Sequence, residues 1–324
     1  AMTTEALTCR KFSGEIDTTW KVASYTRLVS AGATIRNEYD EALLTHWELK
    51  TAPEEEPSDK WSSASVDRDI YGLPRGAQAG IMLHEILEKI GYQEEDISAA
   101  QNVIEQIITR YGYDPQWLPV LMDMANKVMH TPIPLFAGDK DWLTLSQIRS
   151  ADRCNEVEFY FPLKPLSRHD LARIFRNGAV MTESALSQVP RLRCLERLQF
   201  SPMEGYLKGF IDLIFQFKGR YYLVDWKSNH LGNRLEDYTR HELLKVMDEG
   251  YYFIQYHLYA LVLHQYLALR VPGYRYEDHF GGVYYCFLRG MDPSAGPEYG
   301  IFNDRPPLEM LDIMKDSLIR PPER

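Results

Sequence analysis

The sequence predicts an α/β fold, a mixed β-sheet flanked by helices, with helical additions on the N-terminal side of the core. Three observations carry this. Residues 206–227 read as two apolar strands joined by a tight turn at Lys218-Gly219. Residues 156–161 alternate, with Val157, Phe159 and Phe161 on one side and Glu156, Glu158 and Tyr160 on the other, the pattern of a half-buried strand. Stretches of helical period lie on both sides of these strands, and strands interleaved with helices indicate a sheet covered by helices.

The elements follow in chain order. Residues 1–64 have a mixed pattern. Trp20 to Leu28 has strand-then-turn character, and the acidic, Pro-bounded run 52–59 reads as a flexible linker. Leu73-Pro74-Arg75-Gly76 is a turn, after which Ile81, Leu83, Ile86, Leu87 and Ile90 recur at helical spacing. Further helices are expected over 104–111, 117–130 and 168–175. Beyond the hairpin, 229–239 reads as a loop, 240–270 as one long helix and 282–288 as a buried strand. A loop over 293–307 and a closing helix over 308–318 complete the chain.

The hairpin places charge where a strand should not hold it. Folding at Lys218-Gly219 sets Phe217 against Arg220, Gln216 against Tyr221, and so on back to Asp212 against Asp225. Directly opposed residues have Cβ atoms about 4.5–5.5 Å apart, and like charges there destabilise the pair. Buried charges persist when paired or bound to metal. Lys227, two residues beyond Asp225, points to the same face. Two acids able to hold a hard divalent cation, with an ammonium beside them, suit phosphodiester cleavage. The backbone carbonyl of Trp226 is a further hard oxygen donor at this edge, while its indole is expected to pack in the core. Gln255 and Tyr259 stand at i and i+4 of a helix and so share one face. Basic and aromatic residues nearby, Arg220, Arg234, Arg240, Lys245, Tyr238, Tyr251 and Tyr252, are candidates for phosphate contact and base stacking.

This constellation resembles the PD-(D/E)xK nuclease motif. The run 206–213, the run 219–229 and the later His279-Phe280-Gly281-Gly282-Val283-Tyr284-Tyr285, ending in Phe287-Leu288-Arg289-Gly290, are similar to the C-terminal nuclease domains of the RecB-like family. Leu73-Pro74-Arg75-Gly76-Ala77, leading to Leu83-His84, fits the same family. The resemblance implies a restriction-endonuclease-like core, with residues 65–324 as the nuclease domain and residues 1–64 as a tether from a helicase part of the same subunit. It implies metal binding by His84, Glu156, Asp212, Asp225 and the Trp226 carbonyl. Glu156 fits the family's E-x-x-F strand motif with Phe159, although Glu158 shares its face. It implies catalytic roles for Asp212, Asp225 and Lys227, with Gln255 and Tyr259 as a Q-x-x-x-Y motif orienting DNA and the lysine. The implied activity is Mg2+-dependent cleavage of DNA, Mn2+ able to substitute, by an exodeoxyribonuclease V type enzyme of break repair and recombination. RecC-like and RecD-like subunits, the helicase part and DNA are the implied partners. An AddA-type assembly, or an inert interaction module, are the alternatives.

Composition bounds the rest. Cys9, Cys154, Cys194 and Cys286 lack C-x-x-C spacing, which argues against a zinc site, an iron–sulfur cluster or a disulfide scaffold, and cytoplasmic residence is expected. No secretory leader and no membrane span are expected; the run 251–269 is interrupted by Gln255, His257, His264 and Gln265. No G-x-x-x-x-G-K-[ST] loop occurs, so no ATP site is expected. A net charge of −10 predicts that the chain alone grips DNA weakly.

Overall fold

The computed structural model describes residue 14 and residues 19–25, 68–92, 97–136, 141–181 and 193–320. The run 52–59, expected as a linker, lies outside the described residues. Six strands form one mixed sheet: β1 (Trp20–Ser24), β4 (Arg153–Leu166), β5 (Met203–Phe217), β6 (Arg220–Lys227), β7 (Phe280–Phe287) and β8 (Ile301–Asp304). A separate two-stranded ladder joins β2 (Ile133–Pro134) to β3 (Trp142–Leu143). β1, a strand within the residues expected as a tether, runs parallel to the first half of β5.

Helices cover both faces. On one side lie α1 (Ala77–Lys89), α2 (Ile97–Arg110) and α3 (Leu118–His130), whose buried residues join Tyr222, Val224, Trp226, Tyr284 and Cys286 in one apolar core. On the other lie α4 (Arg168–Met181), α6 (Arg240–Glu249), α7 (Tyr252–Arg270) and α9 (Leu308–Leu318), packed on Leu223, Val283, Tyr285 and Phe287. The short helices α5 (Arg193–Arg197) and α8 (Tyr276–His279) are also present among the described residues. Alternate residues of β6 and β7 therefore enter opposite cores, which is why both strands read as continuous apolar runs.

The hairpin has the predicted register, Phe217 opposite Arg220 through Leu213 opposite Val224. Its turn residues Lys218 and Gly219 have φ of 47° and 76°, the left-handed pair that a two-residue turn with native twist requires. Three expectations change. The helix expected over 240–270 is two helices, α6 and α7, because Tyr251 adopts a left-handed φ of 59° after Gly250 and breaks the ladder. The loop expected over 293–307 contains β8, which pairs antiparallel with β7; the neighbouring Gly300 and Pro306-Pro307 mask so short a strand in sequence. The strand expected over 156–161 runs from Arg153 to Leu166.

β5 organises the sheet. β4 pairs along it on one side. On its other side β1 pairs as far as Lys208, and β6 pairs from Leu213 onward. The segment from Gly209 to Asp212 thus lies where one neighbour has ended and the other has not begun. Leu207 and Ile211 enter the core built with α4 and α7, whereas Leu213 and Phe215, of the same parity, enter the core built with α1 to α3. The strand has turned its inward face by this point, and residues 211–213 are buried in succession.

Gly209 is required here by close approach. A Cβ on it would stand 2.4 Å from the Phe159 ring of β4, and that ring in turn packs edge-on against Tyr259 of α7 at 5.2 Å. Gly209→Ala should therefore cost about 1–3 kcal/mol by overpacking, measured by denaturant unfolding, whereas the same change at Gly219, which has open space around it, should cost only its backbone strain.

Candidate active site

Asp212 sits in the opening of the sheet, one position before the β5–β6 ladder begins. Extending that register places it opposite Asp225, as the hairpin predicts. The strands are parting there, and instead of a ladder bond the Trp226 N–H donates to Asp212 Oδ2 at 2.6 Å. A carboxylate thus takes the place of a strand carbonyl, and both aspartates are buried.

Glu156 arrives from the other side. In the β4–β5 register Asn155 pairs with Leu213 and Val157 with Ile211, so Glu156 stands opposite Asp212 but makes no ladder pair. Its φ is 48°, a left-handed conformation that costs a non-glycine residue about 1–2 kcal/mol. Glu158 is held elsewhere, exposed and paired with Lys208 at 2.5 Å. The structure thus separates two acids that the alternation left equivalent.

His84 comes from α1, and its Nδ1 is 3.5 Å from Asp212 Oδ2. Contacts around both ends of the helix fix its position. Past its start, the Arg289 guanidinium donates to the carbonyls of Ile70, Leu73 (3.2 Å) and Pro74 (3.2 Å), and its Nε to Ser228 O at 3.2 Å. Near its end, Asn155 Nδ2 donates to Glu88 O at 2.7 Å and Arg153 to Ile90 O at 3.1 Å. The helix carrying the histidine is thereby tied to the segment just after Lys227 and to the residue just before Glu156.

His84, Glu156 and Asp212 each offer a ligand atom, and these atoms lie within 4.8 Å of one another. Burial pushes the Glu156 carboxyl up to about 8, with Asp212, then Glu88 and Asp225, adding repulsion. A divalent cation would relieve both effects, and one imidazole with carboxylate oxygens is a donor set suited to Mg2+ or Mn2+. Asp225 is not in this cluster; its Oδ2 is 2.6 Å from Lys227 Nζ.

Lys227 is buried and surrounded. Its ammonium lies 4.0 Å from the ring centroid of Tyr252 and 5.0 Å from that of Tyr285, and it donates to Gln255 Oε1 at 3.3 Å. Ring faces and a carboxylate attract an ammonium electrostatically. Gln255 in turn accepts from Tyr285 OH at 2.9 Å and donates to Tyr259 OH at 3.4 Å. Gln255 and Tyr259 share the helical face that the i, i+4 spacing predicts, and the lysine lies against the first of them. Trp226 packs its indole into the core with α1 to α3.

Sequence reasoning brings these residues to one place but misses others. Tyr285 is register partner to Asp225 across a parallel pair, which no hairpin reading can reach. Arg289 stands out in sequence only as part of a family run. Tyr238, Tyr251 and Tyr252 are buried, which leaves no ring face open to a base, and Arg220 donates to the carbonyls of Glu277 (2.8 Å) and Phe280 (3.4 Å).

A model of the PD-(D/E)XK nuclease superfamily matches residues 62–306. The chain belongs to this superfamily. The matched span contains Asp212, with buried Ile211 before it, and the run Asp225-Trp226-Lys227. The chain is 32% identical over 298 residues to the RecBCD enzyme subunit RecB of Escherichia coli K12, covering 92% of this chain and 23% of the relative. It is 31% identical to the RecB subunit of Haemophilus influenzae, with 93% and 24% covered. The RecB subunit of Mycolicibacterium smegmatis is 32% identical, with 95% and 30% covered. The chain thus spans about a quarter to a third of the length of these relatives.

Two outcomes follow from Glu156. A carboxyl with a raised folded pKa favours the folded state less as it ionises. Metal-free protein should lose stability as pH rises from about 4.5 toward about 8, and Glu156→Gln should flatten that slope. Urea unfolding in EDTA across this range measures both. Glu156→Gly should also fold more stably than Glu156→Ala, by about 1 kcal/mol, because glycine adopts the left-handed φ without strain.

Proposed function

We propose that this chain is the nuclease domain of a RecB-like helicase–nuclease subunit. Its reaction is hydrolysis of DNA phosphodiesters with Mg2+, Mn2+ able to substitute, as an exodeoxyribonuclease V type activity in double-strand-break repair, recombination and DNA degradation. The observation that carries this is the convergence of His84, Glu156 and Asp212 within 4.8 Å, beside the Asp225–Lys227 pair.

His84, Glu156, Asp212 and Asp225 would hold the metal, with the Trp226 carbonyl as a further oxygen donor. When bound, the metal supplies Lewis-acid stabilisation of charge on the phosphate and on the leaving 3′ oxygen. Lys227 orients the attacking water and stabilises phosphate charge from its position between Asp225 and Gln255. Gln255, held by Tyr285 and Tyr259, fixes the lysine. This intact chain of contacts argues against an inert module, and relatives named as RecBCD subunits favour that assembly over an AddA-type one.

The helicase part of the same subunit, RecC-like and RecD-like subunits and DNA are the partners this reading requires, and the cytoplasm is the compartment. No helix among the described residues is long and apolar enough to cross a membrane.

Cleavage of circular single-stranded DNA in Mg2+ or Mn2+, with and without ATP, tests the proposal. Wild type should cut slowly and without ATP. Asp212→Ala and Asp225→Ala should lose about 10³-fold or more in rate. Lys227→Ala should lose about 10²–10⁴-fold while binding Mn2+ within a few-fold of wild type by calorimetry. An Asp225→Ala protein cutting at the wild-type rate would sink the assignment.

A further inference from the structure

A ring that stacks on an unpaired base must be exposed, and the tyrosines nearest Lys227 are not. Exposed rings of the sheet lie elsewhere: Trp20 (49% exposed), Tyr206 (40%) and Tyr160 (54%). They share one face of three adjacent strands. Val22 of β1 pairs with Tyr206 of β5, and Lys208 of β5 pairs with Tyr160 of β4. Trp20 and Tyr206 meet edge to face at 6.3 Å. Lys208 Nζ lies 5.5 Å from the Tyr160 ring centroid and 5.2 Å from that of Phe210.

Two of these three strands, β5 and β4, also bear Asp212 and Glu156. On β5 Tyr206, Lys208 and Phe210 lead along the strand to Asp212, where the strand turns its face, and on β4 Tyr160 and Glu158 lead to the left-handed Glu156. Tyr206 is six residues from Asp212, about 20 Å along a strand. Of the three clustered ligand residues, Glu156 is the one that is not fully buried, so the centre opens toward β4. The opposite face at this end is closed by core residues Leu207, Phe161 and Leu163.

We propose, on the reading that the carboxylate centre is a nuclease site, that this face is a stacking track for single-stranded DNA, delivering an unpaired strand to Asp212 and Glu156. Duplex DNA hides its base faces and gains nothing from such rings. Lys208 is partly neutralised by Glu158, so the track grips through stacking more than through phosphate charge.

Binding of fluorescent oligothymidylates, 4 and 15 nucleotides long, is measured by anisotropy in EDTA across a salt series. Each of Trp20→Ala, Tyr160→Ala and Tyr206→Ala should weaken 15-mer binding about fivefold or more, from about 1–3 kcal/mol per stacked base. The slope of log affinity against log salt should not change. Trp20→Phe, Tyr160→Phe and Tyr206→Phe should bind nearly as wild type, and the 4-mer should lose less than the 15-mer. A triple alanine variant that binds the 15-mer as wild type overturns the track. So does one that loses co-purification with co-expressed partner subunits while its DNA affinity is unchanged, which would make the face a protein interface. Wild type that binds in a ring-dependent way yet cuts nothing in Mg2+ or Mn2+ would remove the nuclease reading instead.

Discussion

The structure depends on the repulsion between Asp212 and Asp225 being accommodated. Two carboxylates opposed in a buried hairpin cannot sit as ordinary ladder partners, and the strands part at their position. Asp212 takes the Trp226 amide and Asp225 takes the Lys227 ammonium, so each charge has a partner of its own. The parting in turn leaves room beside Gly209–Asp212, with β1 ending on one side and β6 beginning on the other. Into that room come a histidine from α1 and a glutamate from β4. A sheet that paired throughout would have no place for either.

Much of this is legible in the order of residues alone. The hairpin register follows from a turn dipeptide able to adopt left-handed φ twice, and counting back from that turn brings Asp212, Asp225 and Lys227 together. Gln255 and Tyr259 follow from helical spacing. What is not legible has a common cause. Glu156 and Glu158 alternate identically in sequence, and only a local left-handed residue separates them, one turned inward and one spent on Lys208. The break before Tyr252 is likewise one residue's φ. Tyr285 meets Asp225 through a parallel pair whose crossover is long, and register across such a connection leaves no mark in local sequence.

Electrostatics divides the site in two. On one side the Lys227 side chain is surrounded by a carboxylate, two ring faces and an amide oxygen. On the other, burial and the nearby Asp212 carboxylate push the Glu156 carboxyl well above the usual carboxylate range. The two halves share the Asp212–Asp225 hairpin as their wall. Like charge is crowded at this one place, together with the left-handed backbone of Glu156.

Arg289 gives the architecture a temporal dimension. Its guanidinium reaches back 219 residues to the carbonyl of Ile70, and with Ser228 it closes a ring of backbone around the start of the histidine-bearing helix. During synthesis the hairpin aspartates and His84 leave the ribosome well before Arg289 does. Until then the segment ahead of α1 lacks this anchor, and contacts so distant in sequence form late. A chain stopped short of Arg289 would carry His84, Glu156, Asp212 and Asp225 without the guanidinium that anchors the segment ahead of α1.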